Sequence, residues 1–109
     1  MRIWDLLPSV LCRQHLLGEH RELHALWTII SQNRPGYRNH PETKRWDGKL
    51  PALRKRHEEL VAEMKNRGYN HNSPIEDTGI TGLDQQDQFV HTFEEQIDII
   101  KNKKCECRV

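Results

Sequence analysis

The stretch VLCRQHLLGEHRELHALWTIISQ, residues 10–32, decides the fold. Cys12, Leu16, Leu23, Trp27 and Ile30 recur on one stripe at helical spacing. Just before it, Ser9 can accept from the free amides of a first turn. Just after it, Arg34-Pro35-Gly36 ends the pattern, because Pro35 disfavours helical geometry at Arg34 and Gly36 permits a turn. The spacing predicts a helix over about residues 10–32.

Two further helices follow outward from this one. Leu53, Leu60 and Met64 form a second stripe over residues 50–67, with Pro51 in its first turn and Gly68 as a left-handed stop. Gln86, Val90, Phe93, Ile97 and Ile100 form a third over residues 83–103. Residues 34–48 and 69–82 read as long polar loops. Strand-like alternation is nearly absent. The expected architecture is all-α, with three main helices and long polar connections in one domain over residues 1–109. Hydrophobic residues are 35% of the chain and charged residues 30%, so that domain has a small core. No run of 18 apolar residues occurs, which excludes a membrane-spanning helix. The start Met1-Arg2-Ile3-Trp4-Asp5 has no signal-peptide pattern, and three cysteines are too few for a disulfide framework. A cytoplasmic monomer is expected.

Charge is unevenly placed. Residues 1–72 carry 13 Lys/Arg against 8 Asp/Glu, while residues 73–109 carry 4 against 8. The densest basic block, residues 34–56, holds eight cations and can attract phosphate. On the first helix, the face away from the apolar stripe presents Gln14, His15, Gly18, Arg21, Glu22 and Ala25. A mid-helix Gly costs roughly 1 kcal/mol against Ala, which points to a packing or access reason at Gly18. His20 and His24 share a helix face, but zinc needs three or four ligands. His57-Glu58-Glu59-Leu60-Val61 fails the HExxH pattern, and Cys105-Glu106-Cys107 is a lone CxC. No structural metal is expected.

Two blocks of residues carry a resemblance. Arg2-Ile3, Gln14-His15-Leu16, Glu19 and Arg21-Glu22-Leu23 make up the first. Leu50, Leu53-Arg54-Lys55-Arg56, Glu59-Leu60, Ala62-Glu63 and Arg67-Gly68-Tyr69-Asn70 make up the second. At consistent spacing, they resemble the pyrimidine-dimer DNA glycosylase family of the phage endonuclease V type. The last 35 or so residues resemble it only weakly, and the aromatic-rich tail of the phage member has no counterpart in Lys103-Lys104-Cys105-Glu106-Cys107-Arg108-Val109.

The resemblance implies a compact three-helix fold and a glycosylase that is also an apurinic/apyrimidinic lyase and that uses no metal or organic cofactor. It implies that the α-amine of Met1 attacks C1′ of a damaged nucleotide, most naturally a pyrimidine dimer, and that an imine forms and β-elimination cuts the strand. Glu22 matches the family's essential carboxylate. Arg2, Gln14, His15 and Arg21 match further site positions, and Arg54, Lys55 and Arg56 are read as duplex-binding. The implied partner is double-stranded DNA carrying damaged bases or abasic sites. Physical chemistry agrees with an α-amine nucleophile. An α-amine has a pKa of about 7.7–8.0 against about 10.4 for Lys, so much of it is neutral at physiological pH. Glu22 can stabilise cationic sugar and iminium character and can shuttle protons. Two other readings compete: an abasic-site lyase without dimer specificity, and a non-catalytic DNA-binding module of the same fold.

Overall fold

The computed structural model describes residues 2–32, 39–69, 82–103 and 107. Among them the fold is all-α. A single 3-10 turn, Pro8–Val10, leads into α1 (Arg13–Ser31), followed by α2 (Pro41–Trp46), α3 (Leu50–Asn66) and α4 (Phe93–Lys101). No described helix is long and apolar enough to cross a membrane.

Helix α1 packs on α3. Leu16, Leu23 and Leu26 meet Leu53, Leu60 and Met64 in a core that also takes in Ile3, Trp4, Leu6, Trp46 and Ile100. Burying one such side chain fully is worth about 1.5–3 kcal/mol, so this cluster is the main apolar support of the fold. Helix α3 ends as expected at Gly68, whose φ is +81°. There the amide of Tyr69 donates to the carbonyl of Met64 and that of Gly68 to the carbonyl of Lys65, which satisfies the last turn.

Three expected boundaries differ. The first helix begins at Arg13, and its N-cap is Cys12 with no side-chain capping bond, so Ser9 does not cap it. Residues 8–10 coil more tightly, and Arg67 Nη2 donates to the carbonyls of Pro8 at 3.2 Å and Leu11 at 2.6 Å, holding the turn against α3. The basic loop contains α2. His40 Nδ1 accepts from the Glu42 amide at its start, Pro41 sits in its first turn, and Lys44 and Arg45 lie near its negative C-terminal end. The third expected helix starts ten residues late, at Phe93. Thr92 and Glu95 form a reciprocal capping box, and this local pair fixes the start. Of the expected stripe, Ile100 is buried while Val90 and Phe93 are exposed.

Residues 82–92 instead form an irregular segment bonded to α2 and α3 through Arg45 and Ala52. The Leu83 amide donates to the Gly48 carbonyl at 2.9 Å, beside an isolated bridge between Lys49 and Gly82. Gly82 has φ +127°, and a Cβ there would collide with the Gly48 carbonyl. Only Gly fits this approach.

The N-terminal residues are buried by polar bonds as well as by apolar packing. The Ile3 amide donates to Glu42 of α2, the Trp4 amide to Glu19 of α1, and the Asp5 amide to Gln96 of α4. Arg45 donates to the Ile3 carbonyl and Arg56 to the Leu6 carbonyl. Side chains from all four helices thus stand in for the backbone partners that an extended segment lacks.

Candidate active-site cleft

One face of α1 forms the floor of a cleft. Gln14, His15, Gly18 and Glu22 lie on successive turns, as i, i+4 spacing requires. Arg2 and Trp4 enter from the N-terminal segment and Lys103 from just beyond α4. The cleft has a volume of about 210 Å³. No atom lies within 4 Å of where a Cβ on Gly18 would stand, so that position is open space.

Each wall residue has an identifiable support. Arg2 lies over the Trp4 ring, 5.0 Å from its centroid, and its Nη1 reaches His91 Nδ1 at 3.0 Å. His15 meets the Trp4 ring edge-on at 5.9 Å. Its Nδ1 lies 3.3 Å from Cys12 Sγ and 3.1 Å from Cys107 Sγ. Desolvation by burial, and then the positive charge of Lys103, hold the His15 imidazole below its usual pKa. Glu22 is half-buried and shares the cleft with the cations Arg2 and Lys103. In such a cleft the cations can hold a phosphodiester while the carboxylate between them stabilises a developing positive charge.

Beneath this floor, Glu19 is buried with Arg56. Arg56 donates from Nε to Oε2 at 2.7 Å and from Nη2 to Oε1 at 3.1 Å, a two-point pairing. Burial pushes the Glu19 carboxyl up, while Arg56 and the Trp4 amide pull it back towards the ionised form. Glu19 thus links the cleft floor, the N-terminal segment and α3.

The residues singled out from the sequence divide into groups. Arg2, Gln14, His15 and Glu22 are brought together. Met1 lies outside the described residues. Arg21 is exposed on α1 and does not line the cleft. Arg54 is half-buried and Lys55 exposed on α3, where Lys55 lies 3.4 Å from Asp84. Arg56 is buried at 7% exposure and bonded to Glu19 and the Leu6 carbonyl, so it presents no free guanidinium at the surface. Arg45 and Lys49 are likewise turned inward, towards Asp5 and Glu42 and towards Gln86 and Asp87. Much of the basic block therefore braces the interior.

From the sequence, Lys103 and Trp4 are not assigned to the cleft, and His57 is weighed only within a failed HExxH pattern. His57 had a signal: Leu53, His57, Leu60 and Met64 follow one 4-3-4 stripe of α3. His20 likewise falls between Leu16 and Leu23 on the stripe of α1. The two stripes face each other, and His20, His24 and His57 meet with their Nε2 atoms 3.2 Å apart in every pair.

An all-helical fold whose first long helix floors a cleft of mixed charge defines the class, and comparison with known families identifies it. A family model described as pyrimidine dimer DNA glycosylase matches residues 1–77, and the chain belongs to that family of DNA glycosylases, enzymes acting on damaged DNA. The match includes every cleft residue except Lys103. Searches of curated proteins and of solved structures return no significant match.

Proposed function

We propose that this protein excises a damaged pyrimidine and then cuts the strand, using the α-amine of Met1 as nucleophile and Glu22 as the catalytic carboxylate. The observation that carries this reading is the pinning of the N-terminal segment. Three amides and two carbonyls of residues 3–6 are bonded to side chains of four helices, and Arg2, the next residue out, lines the cleft that contains Glu22. Met1 is joined to Arg2 through a single peptide unit, which spans about 3.8 Å from Cα to Cα.

In this reading, the neutral amine adds to C1′ while the damaged base leaves with the electrons of the glycosidic bond. Loss of an amine proton frees the nitrogen lone pair to break the C1′–O4′ bond, O4′ takes a proton, and the ring-opened iminium results. Glu22 stabilises the positive sugar and takes the C2′ proton, and the 3′ phosphate departs by β-elimination. Arg2 and Lys103 hold flanking phosphates. Arg21, Arg54 and Lys55 steer the duplex, while Arg56 acts from the interior by positioning Glu19. His15, kept neutral, accepts or donates a hydrogen bond at the cleft wall.

Borohydride trapping on duplex DNA tests this. Trapping should label Met1 on both abasic and ultraviolet-irradiated substrates, and intact-mass analysis of the active protein should show an unblocked Met1. Glu22→Gln should abolish cleavage while leaving duplex affinity within about threefold, since a neutral isostere keeps the shape of the cleft. A Gly-Ser extension before Met1 should abolish trapping, because each residue displaces the amine by up to about 3.5 Å. Trapping at Lys44 or Lys49, or undiminished trapping in the extended chain, would overturn the α-amine mechanism. Cleavage of abasic but not irradiated DNA would leave a lyase without dimer specificity.

A further inference from the structure

We infer that His20, His24 and His57 form a binding site for a divalent first-row metal ion, zinc being the ion best suited, and that this ion clips α1 to α3. The three Nε2 atoms form a triangle with sides of 3.2 Å. Its centre lies roughly 1.8 Å from each nitrogen, so an ion at a zinc–nitrogen distance of about 2.0–2.1 Å sits just above the plane. Nitrogens on a tetrahedral zinc stand roughly 3.3 Å apart, which matches the observed sides. His20 and His57 are 8% and 1% exposed, and His24 is half-buried, so two corners are held by the core and the third opens outward.

Hydrogen bonding among the three rings cannot account for this geometry. An attractive N–H···N contact needs a proton on one nitrogen and a lone pair on the other. Three corners with two possible states cannot alternate around a triangle, so at least one side sets like against like. A cation satisfies all three sides at once, with three lone pairs turned towards it. The surroundings favour that state: His57 Nδ1 lies 3.2 Å from Glu58 Oε1. With its Nδ1–H given to that carboxylate, His57 presents the Nε2 lone pair, in the carboxylate–histidine–metal arrangement that orients metal ligands.

Position indicates the role. None of the three residues lines the cleft. His20 adjoins Glu19 on α1 with His24 one turn further on, and His57 adjoins Arg56 on α3. The ion therefore continues the buried Glu19–Arg56 link and fixes the floor of the cleft to the core.

The test uses the full chain. Purified protein should retain about one equivalent of zinc through gel filtration. Chelator-treated protein should gain thermal stability when zinc alone is added back. Cobalt in its place should give the visible bands of a tetrahedral nitrogen site, without thiolate charge transfer. His24→Ala, at the most accessible corner, should lose the equivalent with helical circular dichroism retained. Glu58→Ala, an exposed change that leaves the ligands intact, should weaken zinc affinity by about 10–100-fold. A Cys12→Ser, Cys107→Ser double variant should retain the ion. Wild-type protein that takes up no zinc and shows no change in Tm overturns the inference. So does an ion that survives His24→Ala but leaves with the two cysteines, which would assign it to Cys12, His15 and Cys107.

Discussion

Gly18 stands in the middle of α1 with open space where a side chain would go, so no packing requirement keeps it there. Its effect is to leave the cleft floor low. Gly18→Ala should therefore stabilise the fold by about 1 kcal/mol, the propensity difference between the two residues. The same methyl group enters the cleft, so strand cleavage should fall while chemical denaturation shifts to higher urea. A variant that gains both stability and activity would show that Gly18 has no role in access. His15 gives a second test at this scale. Its pKa is held below 6.5 in the folded protein, by burial first and Lys103 second. The neutral imidazole is thus the form the fold prefers. The stability His15 contributes is complete above pH 6.5 and is lost as the pH falls from there through the lowered folded-state value. Histidine NMR should find this titration displaced to acid, and Lys103→Gln should move it part of the way back.

At the scale of elements, neighbouring cations of α3 do opposite jobs. Arg56 is buried against Glu19, so Arg56→Ala leaves a carboxylate without its partner and should cost about 3–5 kcal/mol. Lys55 is exposed beside an exposed Asp84, and Lys55→Ala should change stability by less than about 0.5 kcal/mol. Urea unfolding of the two variants checks the contrast. The sequence could not separate these neighbours, because both read as basic residues of one block. What separates them is a carboxylate 37 residues away, on another helix. Local signals were legible: the stripes of α1 and α3, and the Gly68 stop, needed only 3.6-residue spacing and a left-handed residue. Helix α2, at six residues, is too short to build a periodic pattern. On α4, the Thr92–Glu95 box outweighed a stripe of which Val90 is exposed and Gln86 bonds to Lys49 and the Arg45 carbonyl. The cleft followed the same division. Gln14, His15 and Glu22 shared a face that could be counted out, whereas Trp4 and Lys103 arrive through tertiary folding.

For the whole molecule, the inward use of Arg45, Lys49 and Arg56 reduces the positive charge available to DNA. The surface field then depends on fewer groups, among them Arg21, Lys44 and Lys55, which are exposed. Duplex binding should be salt-dependent, and replacing Arg54 and Lys55 together should flatten the log-log slope by roughly 0.9 for each phosphate that is no longer neutralised. Fluorescence anisotropy across a salt series measures this, and an unchanged slope would turn that surface of α3 away from the duplex. The bonds that seat the N-terminal segment have a further consequence during synthesis. Asp5 waits for Gln96, 91 residues later, and Arg2 for His91, 89 residues later. Contacts of such long range form only after a large loop has closed. A nascent chain that has completed α1, α2 and α3 still lacks the partners of Arg2 and of the Asp5 amide, so the cleft is completed last. The cleft of this DNA glycosylase is thereby complete only after residues 91–96 have been synthesised.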